Sequence, residues 1–394
     1  MVAKKWLLAP PAPPSALRQY PGLSPVLAQI LYNRGLMTHQ EAQVFLNAEG
    51  GTSFNPFEMT DMMKAVGRAR QAILSNEVIV IYGDFDADGA TSTALLMQVF
   101  KALGANVHPY IPHRVDEGYG LNMEALGSLA RRGAKLVITV DCGIRSVAEV
   151  EYGNSCGLDI IVTDHHSLGP QLPPAYAVIN PKRDNQPVER MLAGVGVAFK
   201  FAEALVMAGQ QQRSRRRSSE AVAEAIDLET LLDLVAIGTV ADLAPLDRTE
   251  NRLLVRRGLR VMNRAERPGL FALLEVAGID PGMIDATHIG FRIGPRINAA
   301  GRLDSAMLAY ELLYTQDPAR ARELAGQLQS LNSTRQQLTR DAQELVRADL
   351  EARNEGDVPL IFASHHSFPH GIVGLVAGRI TEEFYRPSIM LREG

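Results

Sequence analysis

Val78 to Tyr82 is an unbroken apolar run, Val-Ile-Val-Ile-Tyr, that passes directly into Gly83-Asp84-Phe85-Asp86-Ala87-Asp88-Gly89. A short, β-branched run without polar alternation marks a strand buried on both faces, and such strands belong to parallel sheets covered by helices. Two further runs end in the same way. Leu136 onward closes on Asp141-Cys142-Gly143, and Asp159 onward closes on Asp164-His165-His166. Open α/β sheets place their sites at the carboxyl ends of strands. Oxygen and imidazole ligands gathered there point to a divalent metal site holding more than one ion.

Strand and helix patterns alternate around these runs. Strands are predicted at 78–84, 106–111, 136–141, 159–163 and 176–179, with helices at 61–74, 89–103, 122–132 and 145–156. This cadence predicts an α/β fold with a doubly wound, mainly parallel sheet. The Arg/Ser-rich stretch 210–219 reads as a solvated loop. A helix over 228–241 follows and delivers Asp242. From Pro318 to Arg353 the apolar residues step by three and four, predicting one helix ~50 Å long that connects two bodies. A strand at 359–363 and a helix at 371–384 open a second, smaller α/β domain. The 38 residues from Asp357 on are few for a core of their own, so Ile372, Val373 and Leu375 are expected to be exposed. The organisation predicted is an N-terminal helical segment (1–60), a catalytic domain (61–316), a connecting helix (317–356) and the beginning of a substrate-binding domain (357–394).

Lys and Arg total 40 against 44 Asp and Glu, a net charge of −4. No strong basic field announces nucleic acid, although a local basic groove is compatible with that balance. Two cysteines exclude a disulfide framework and fit a reducing, cytoplasmic setting. No apolar stretch approaches the ~18 residues of a membrane span, and the N-terminus lacks the apolar core of a signal peptide.

Asp84-x-Asp86-x-Asp88-Gly89 imitates the opening of an EF-hand loop, but Leu95 stands where the bidentate Glu belongs and a strand precedes it. Capping of the following helix accounts for one Asp, not three. His165 and His166 offer one ring to a metal and one to a substrate, with Asp164 placed to orient either. Asp141 and Asp242 complete the set, and Cys142 reads as a small buried thiol. Such Asp/His mixtures favour Mn²⁺ or Mg²⁺ over structural Zn²⁺. A pair of ions ~3.5–4 Å apart clamps the attacking and leaving oxygens of a phosphoryl displacement. The segment His113 to Asn122, with Arg114 and Tyr119, reads as a phosphate-approaching loop. Gly294 to Arg302 reads as a second such loop, carrying Arg296, Asn298 and Arg302. Gly194-Val195-Gly196 is half of a dinucleotide fingerprint, but Phe199 stands where the third glycine belongs.

Gly83 to Gly89, Val140-Asp141-Cys142-Gly143, Thr163-Asp164-His165-His166, Gly194-Val195-Gly196-Val197 and Val240-Ala241-Asp242 follow the order of the DHH phosphoesterase superfamily. Pro295 to Arg302 and His370-Gly371-Ile372-Val373-Gly374 narrow the resemblance to the RecJ-type single-strand-specific exonucleases. The resemblance implies two Mn²⁺ or Mg²⁺ ions and degradation of single-stranded DNA from the 5′ end to mononucleotides, in DNA repair and recombination. By motif it implies Asp86, Asp88, Asp141, His165 and Asp242 as metal ligands, with Asp141 bridging. His166 is implied to face the scissile phosphate, with Asp84 and Asp164 supporting. Arg114, Arg296, Asn298 and Arg302 are implied to hold the 5′ end and backbone, with Tyr119 and Asn122 in the same nucleic-acid set. The partners expected are single-stranded DNA, a single-strand-binding protein and a helicase, the chain itself being a monomer. Three alternatives stand beside this. Phosphodiesterases for short oligonucleotides or cyclic dinucleotides lack the Pro295–Arg302 motif and the long helix. A related inorganic pyrophosphatase carries a histidine where this chain has Tyr82-Gly83. A non-catalytic DNA-binding relative would have lost ligands that are intact here.

Overall fold

The structure, a computed structural model, describes residues 5–47, 53–114, 116–183, 190–216, 226–353 and 358–393. Three short helices come first, α1 (Pro14–Leu17), α2 (Pro25–Asn33) and α3 (His39–Asn47), and α4 (Met62–Leu74) leads into the sheet. There follow β1 (Val78–Tyr82), α5 (Ala87–Ala102), β2 (Val107–Tyr110), α6 (Met123–Arg131), β3 (Ala134–Val140), α7 (Val147–Ser155), β4 (Asp159–Thr163) and β5 (Ala177–Ile179). All five strands are parallel, in the order β2-β1-β3-β4-β5. The chain winds one way from β1 to β2 and the other way through β3, so the direction switches between β1 and β3, the usual place for a ligand crevice.

The unbroken apolar runs are explained by the two layers they separate. Ile79 and Ile81 of β1 lie in a core with α4 and α5, whereas Val80 and Tyr82 lie in a second core with α6 and α7. From Ile79 on, each residue of β1 therefore meets helices whichever way it points.

A helical half follows: α8 (Gly194–Arg216), α9 (Leu232–Ala241), α10 (Thr249–Met262), α11 (Pro268–Ala277), α12 (Ala286–His288), a π-helical turn (Ile289–Ile293), α13 (Gly294–Leu303) and α14 (Met307–Tyr314). Two expectations are corrected here. Residues 210–216 continue α8 instead of forming a loop, and 217–219 lie outside the described residues. Gly294 to Arg302 is helix α13, because Pro295 suits a first turn and the glycines serve packing.

The long helix is α15 (Pro318–Ala352), started by Asp317, whose side chain accepts from Ala319 N at 2.9 Å. Its first half buries Leu324 and Leu328 in the main core. Its second half buries Ala342, Val346 and Leu350 against β6 (Ile361–His365), α16 (Val373–Phe384) and β7 (Ser388–Arg392). β6 and β7 pair in parallel, with α16 as the crossover between them. Ile372, expected to be exposed, is buried at 0% exposure. The cause is a close junction: a Cβ on Gly371 would lie 2.0 Å from the carbonyl oxygen of Arg302, so the two backbones touch. Val373 and Leu375, expected to be exposed, are half-buried; the exposed apolar side chains include Leu360, Phe362, Ile389 and Leu391, on or beside the two strands, and Tyr385 after α16. Among the described residues, no helix is long and apolar enough to cross a membrane.

Candidate metal centre

The loop after β1 is folded tightly onto the first turn of α5. A Cβ on Gly89 would sit 2.4 Å from Asp84 O, so only glycine fits there. Asp86 caps α5, its Oδ1 accepting from Asp88 N at 2.8 Å and Gly89 N at 3.1 Å. Asp88, in the first turn of α5, reaches the N-terminus of α8: Gly194 N donates to Oδ2 at 2.7 Å and Val195 N to Oδ1 at 2.9 Å. Asp141 follows β3 in the left-handed region, φ 62°, a conformation that costs about 1–2 kcal/mol for an ordinary residue and is best tolerated by Asp and Asn. Two glycines let helices approach these carboxylates. A Cβ on Gly194 would lie 2.8 Å from Asp141 Oδ1, and one on Gly238 of α9 would lie 2.7 Å from Asp88 Oδ1. Asp242 caps the C-terminus of α9, and His165 and His166 leave β4.

Three overlapping groups result: Asp84, Asp86 and Asp141; Asp141, His165 and His166; Asp88, His165 and Asp242. Within each group the nearest ligand atoms lie within 4.8 Å of one another. His165 Nε2 stands 3.0 Å from Asp141 Oδ1, 3.7 Å from Asp242 Oδ2 and 3.8 Å from Asp88 Oδ2. Asp84, Asp88, Asp141 and Asp164 are each at most 2% exposed. Asp84 Oδ1, Asp141 Oδ1 and His165 Nε2 are buried without a hydrogen-bond partner among the described residues.

The electrostatics follow from this crowding. Burial, then the neighbouring Asp86, pushes Asp84 up to about 8. Burial, then Asp86, pushes Asp242 up to about 6. Asp88 and Asp141 are driven up too, first by burial and then by Asp242 and by Asp88 respectively. Burial, then His166, holds His165 down at about 4, as a neutral ring. Asp164 runs the other way. Burial opposes its ionisation, but the bond from His166, at 2.8 Å, and backbone donors including Ile144 N hold it below its ordinary range. Orphaned acceptors beside carboxylates that resist ionisation fit a centre completed by divalent cations, which would supply the missing partners.

The expected nucleic-acid residues divide. Arg114 lies over the Phe85 ring at 4.6 Å, and the Tyr119 hydroxyl is 3.4 Å from the His166 ring nitrogens. Arg302 bonds to Gly371 O at 3.2 Å; burial, then Arg114 and Arg335, pushes its guanidinium down. These three border the centre. Asn122 caps α6 and donates to Glu117 and Tyr82, so its side chain is engaged inside the protein. Asn298 Oδ1 accepts from Ala87 N at 2.7 Å, joining α13 to α5. Arg296 turns away to Gln329 and Arg292 O. The structure brings to the centre residues that sequence alone does not place there. Gly194 and Gly238 make room for the carboxylates. Arg335 of α15 has a buried Nε without a partner among the described residues, and Arg379 stands near it.

Residues 78–239 match the DHH family, N-terminal domain. The single-stranded-DNA-specific exonuclease RecJ of Bacillus subtilis (strain 168) is 40% identical over 370 residues, which are 94% of this chain and 44% of that protein. RecJ of Escherichia coli (strain K12) is 40% identical over 373 residues, 93% of this chain and 63% of that protein. Among solved structures, exonuclease RecJ bound to manganese superposes with a TM-score of 0.73 at 36% identity, covering 85% of this chain and 81% of that one. RecJ from Thermus thermophilus in complex with Mn²⁺ gives 0.80 at 32% identity, covering 97% and 53%. The chain thus spans roughly half to two thirds of its curated relatives' length, and it belongs to the RecJ branch of the DHH family.

Proposed function

We propose that the chain is the catalytic part of a phosphodiesterase that hydrolyses single-stranded DNA from the 5′ end to mononucleotides. In this reading two divalent cations, Mn²⁺ or Mg²⁺, would be held by Asp84, Asp86, Asp88, Asp141, His165 and Asp242, with Asp141 the residue common to two of the ligand groups. One observation carries it: Asp141 belongs to two of the three ligand groups, and its buried Oδ1 has no hydrogen-bond partner among the described residues. When bound, such a pair of cations neutralises charge on the reacting phosphate and orients the attacking and leaving oxygens.

The chain's own groups do the rest. Asp164 accepts from His166 Nδ1 at 2.8 Å, which leaves Nε2 of that half-exposed ring, 3.4 Å from the Tyr119 hydroxyl, as the nitrogen to donate to a phosphate oxygen. The bond to Asp164 is also what raises His166, keeping it protonated to higher pH. Arg114 and Arg302 position phosphates, with Tyr119 and Phe85 beside them for a base. We divide the chain at the boundaries given above, with the catalytic domain at 61–316 and α15 leading to a substrate-binding domain. The free thiols of Cys142 and Cys156 support a reducing, cytoplasmic setting. A monomer working with a single-strand-binding protein and a helicase suits an enzyme confined to unpaired strands.

The test is Asp141→Ala with a 5′-phosphorylated oligonucleotide and Mn²⁺. Hydrolysis should fall by at least ~10²–10³-fold while the circular dichroism spectrum is retained, and calorimetry should show loss of cation binding. A variant that still cleaves and still binds two ions would overturn the reading.

A further inference from the structure

The residue after Asp242 is doubly unfavourable for folding. Leu243 has φ 57°, and its side chain is 87% exposed. Leu243 N donates to Val240 O at 3.2 Å and Ala244 N to Thr239 O at 3.1 Å, the paired bonds that end a helix through a left-handed residue. That position is ordinarily glycine, because a side chain there strains the backbone. A leucine gains nothing in return from the fold, since it is not buried. Strain of this kind persists where a function holds it.

A second exposed apolar side chain belongs to the neighbouring segment. Phe291, 80% exposed, sits on the π-helical turn before α13, a kind of irregularity common at functional sites. That segment meets the same end of α9: a Cβ on Gly294 would lie 3.3 Å from the Ala241 Cβ. Asp242 itself is part of the centre, its Oδ2 3.7 Å from His165 Nε2. A phosphodiester seated there carries a nucleoside on each side. On the Asp84 side, Phe85, Tyr119 and Arg114 already offer an aromatic and cationic surface. Leu243 directly follows Asp242 in the chain, and Phe291 lies on the segment that packs against that end of α9.

Resting on the function proposed above, we infer that Leu243 is a substrate-contacting residue that packs against the nucleobase on the Asp242 side of the cleaved phosphate, with Phe291 beside it. The contact is apolar and therefore indifferent to base identity. It would help hold unpaired bases, whose faces are free, and not stacked duplex.

The test is Leu243→Gly, which removes the side chain and the backbone strain together. Binding of a 5′-phosphorylated single strand is followed by anisotropy with Ca²⁺, hydrolysis with Mn²⁺, and both are repeated on a strand made abasic throughout. The melting temperature should stay or rise. The Kd and KM for the normal strand should rise about five- to tenfold, the lower end of one base contact, and the abasic strand should not distinguish the variant from wild type. A variant that binds the normal strand as wild type does, or loses equally on the abasic strand, overturns the inference while hydrolysis by wild type still supports the proposed reaction. If wild type binds single strands with this Leu243 dependence but does not cleave them, the reaction fails and the contact stands. If wild type does not bind them, both fail.

Discussion

Asp164 and Asp141 lie in the same buried cluster, yet their carboxyls are displaced in opposite directions, and hydrogen bonding is the difference. Asp164 receives its neighbours' N–H groups, whereas Asp141 Oδ1 receives none. Asp164→Asn keeps the size but loses the anionic acceptor facing His166. It should cost about 10–100-fold in cation affinity or in kcat, as for other residues that orient a centre, with KM little changed; calorimetry and steady-state kinetics check this. The raised groups give a second expectation. In metal-free protein the folded chain holds protons on Asp242 to about pH 6 and on Asp84 to about pH 8, whereas unfolded aspartates release theirs near 3.9. The folded state therefore binds more protons across that window, and these groups make stability fall as pH rises from about 4 to 8. Melting in EDTA should show the fall, and Mn²⁺ should flatten it. That these residues gather at one place was legible because Asp and His at strand ends have few structural uses. Their geometry was not. Asp88 meets Gly194, 106 positions away, and no local pattern encodes that contact.

At the scale of elements, α13 shows how small residues mislead. Gly294, Pro295 and Gly301 read as loop punctuation, but a Cβ on Gly301 would lie 2.0 Å from Phe85 O, so that glycine lets a helix rest on the loop before α5. The helix then separates its two arginines. Arg302 points to the junction with Gly371 and has no ion-pair partner among the described residues, while Arg296 is tied to α15. Arg302→Ala should weaken single-strand binding and flatten its salt dependence, by a slope of ~0.7 if one phosphate contact is lost. Arg296→Ala should leave that slope alone and lower stability by about 1 kcal/mol, the worth of a hydrogen-bonded side chain. Titrations at several salt concentrations, beside denaturant melts, separate the two. β1, β3 and β4 were legible because both their faces are buried. β7 was not read, because its partner β6 lies across a helix and its outward residues alternate with few buried ones.

The whole molecule is two bodies joined by α15 and touching where Gly371 meets Arg302. Gly371→Ala would put a methyl group into that backbone contact and push the bodies apart. Affinity for long single strands should drop several-fold, while turnover of a dinucleotide is kept; the two substrates assayed in parallel check this. The long helix was visible in its apolar stripe, but the junction was not, since it depends on one missing Cβ. The bond from Asp88 to the first turn of α8 has a kinetic meaning as well. It closes a loop of 106 residues, and long loops are closed late because their entropy is lost before their contacts form. The expected order is that the ligands come to share one space only after most of the sheet has assembled, which pulse-labelled hydrogen exchange during refolding checks. A cation arriving there acts as a latch: it slows departure from the native state and does nothing to hasten arrival.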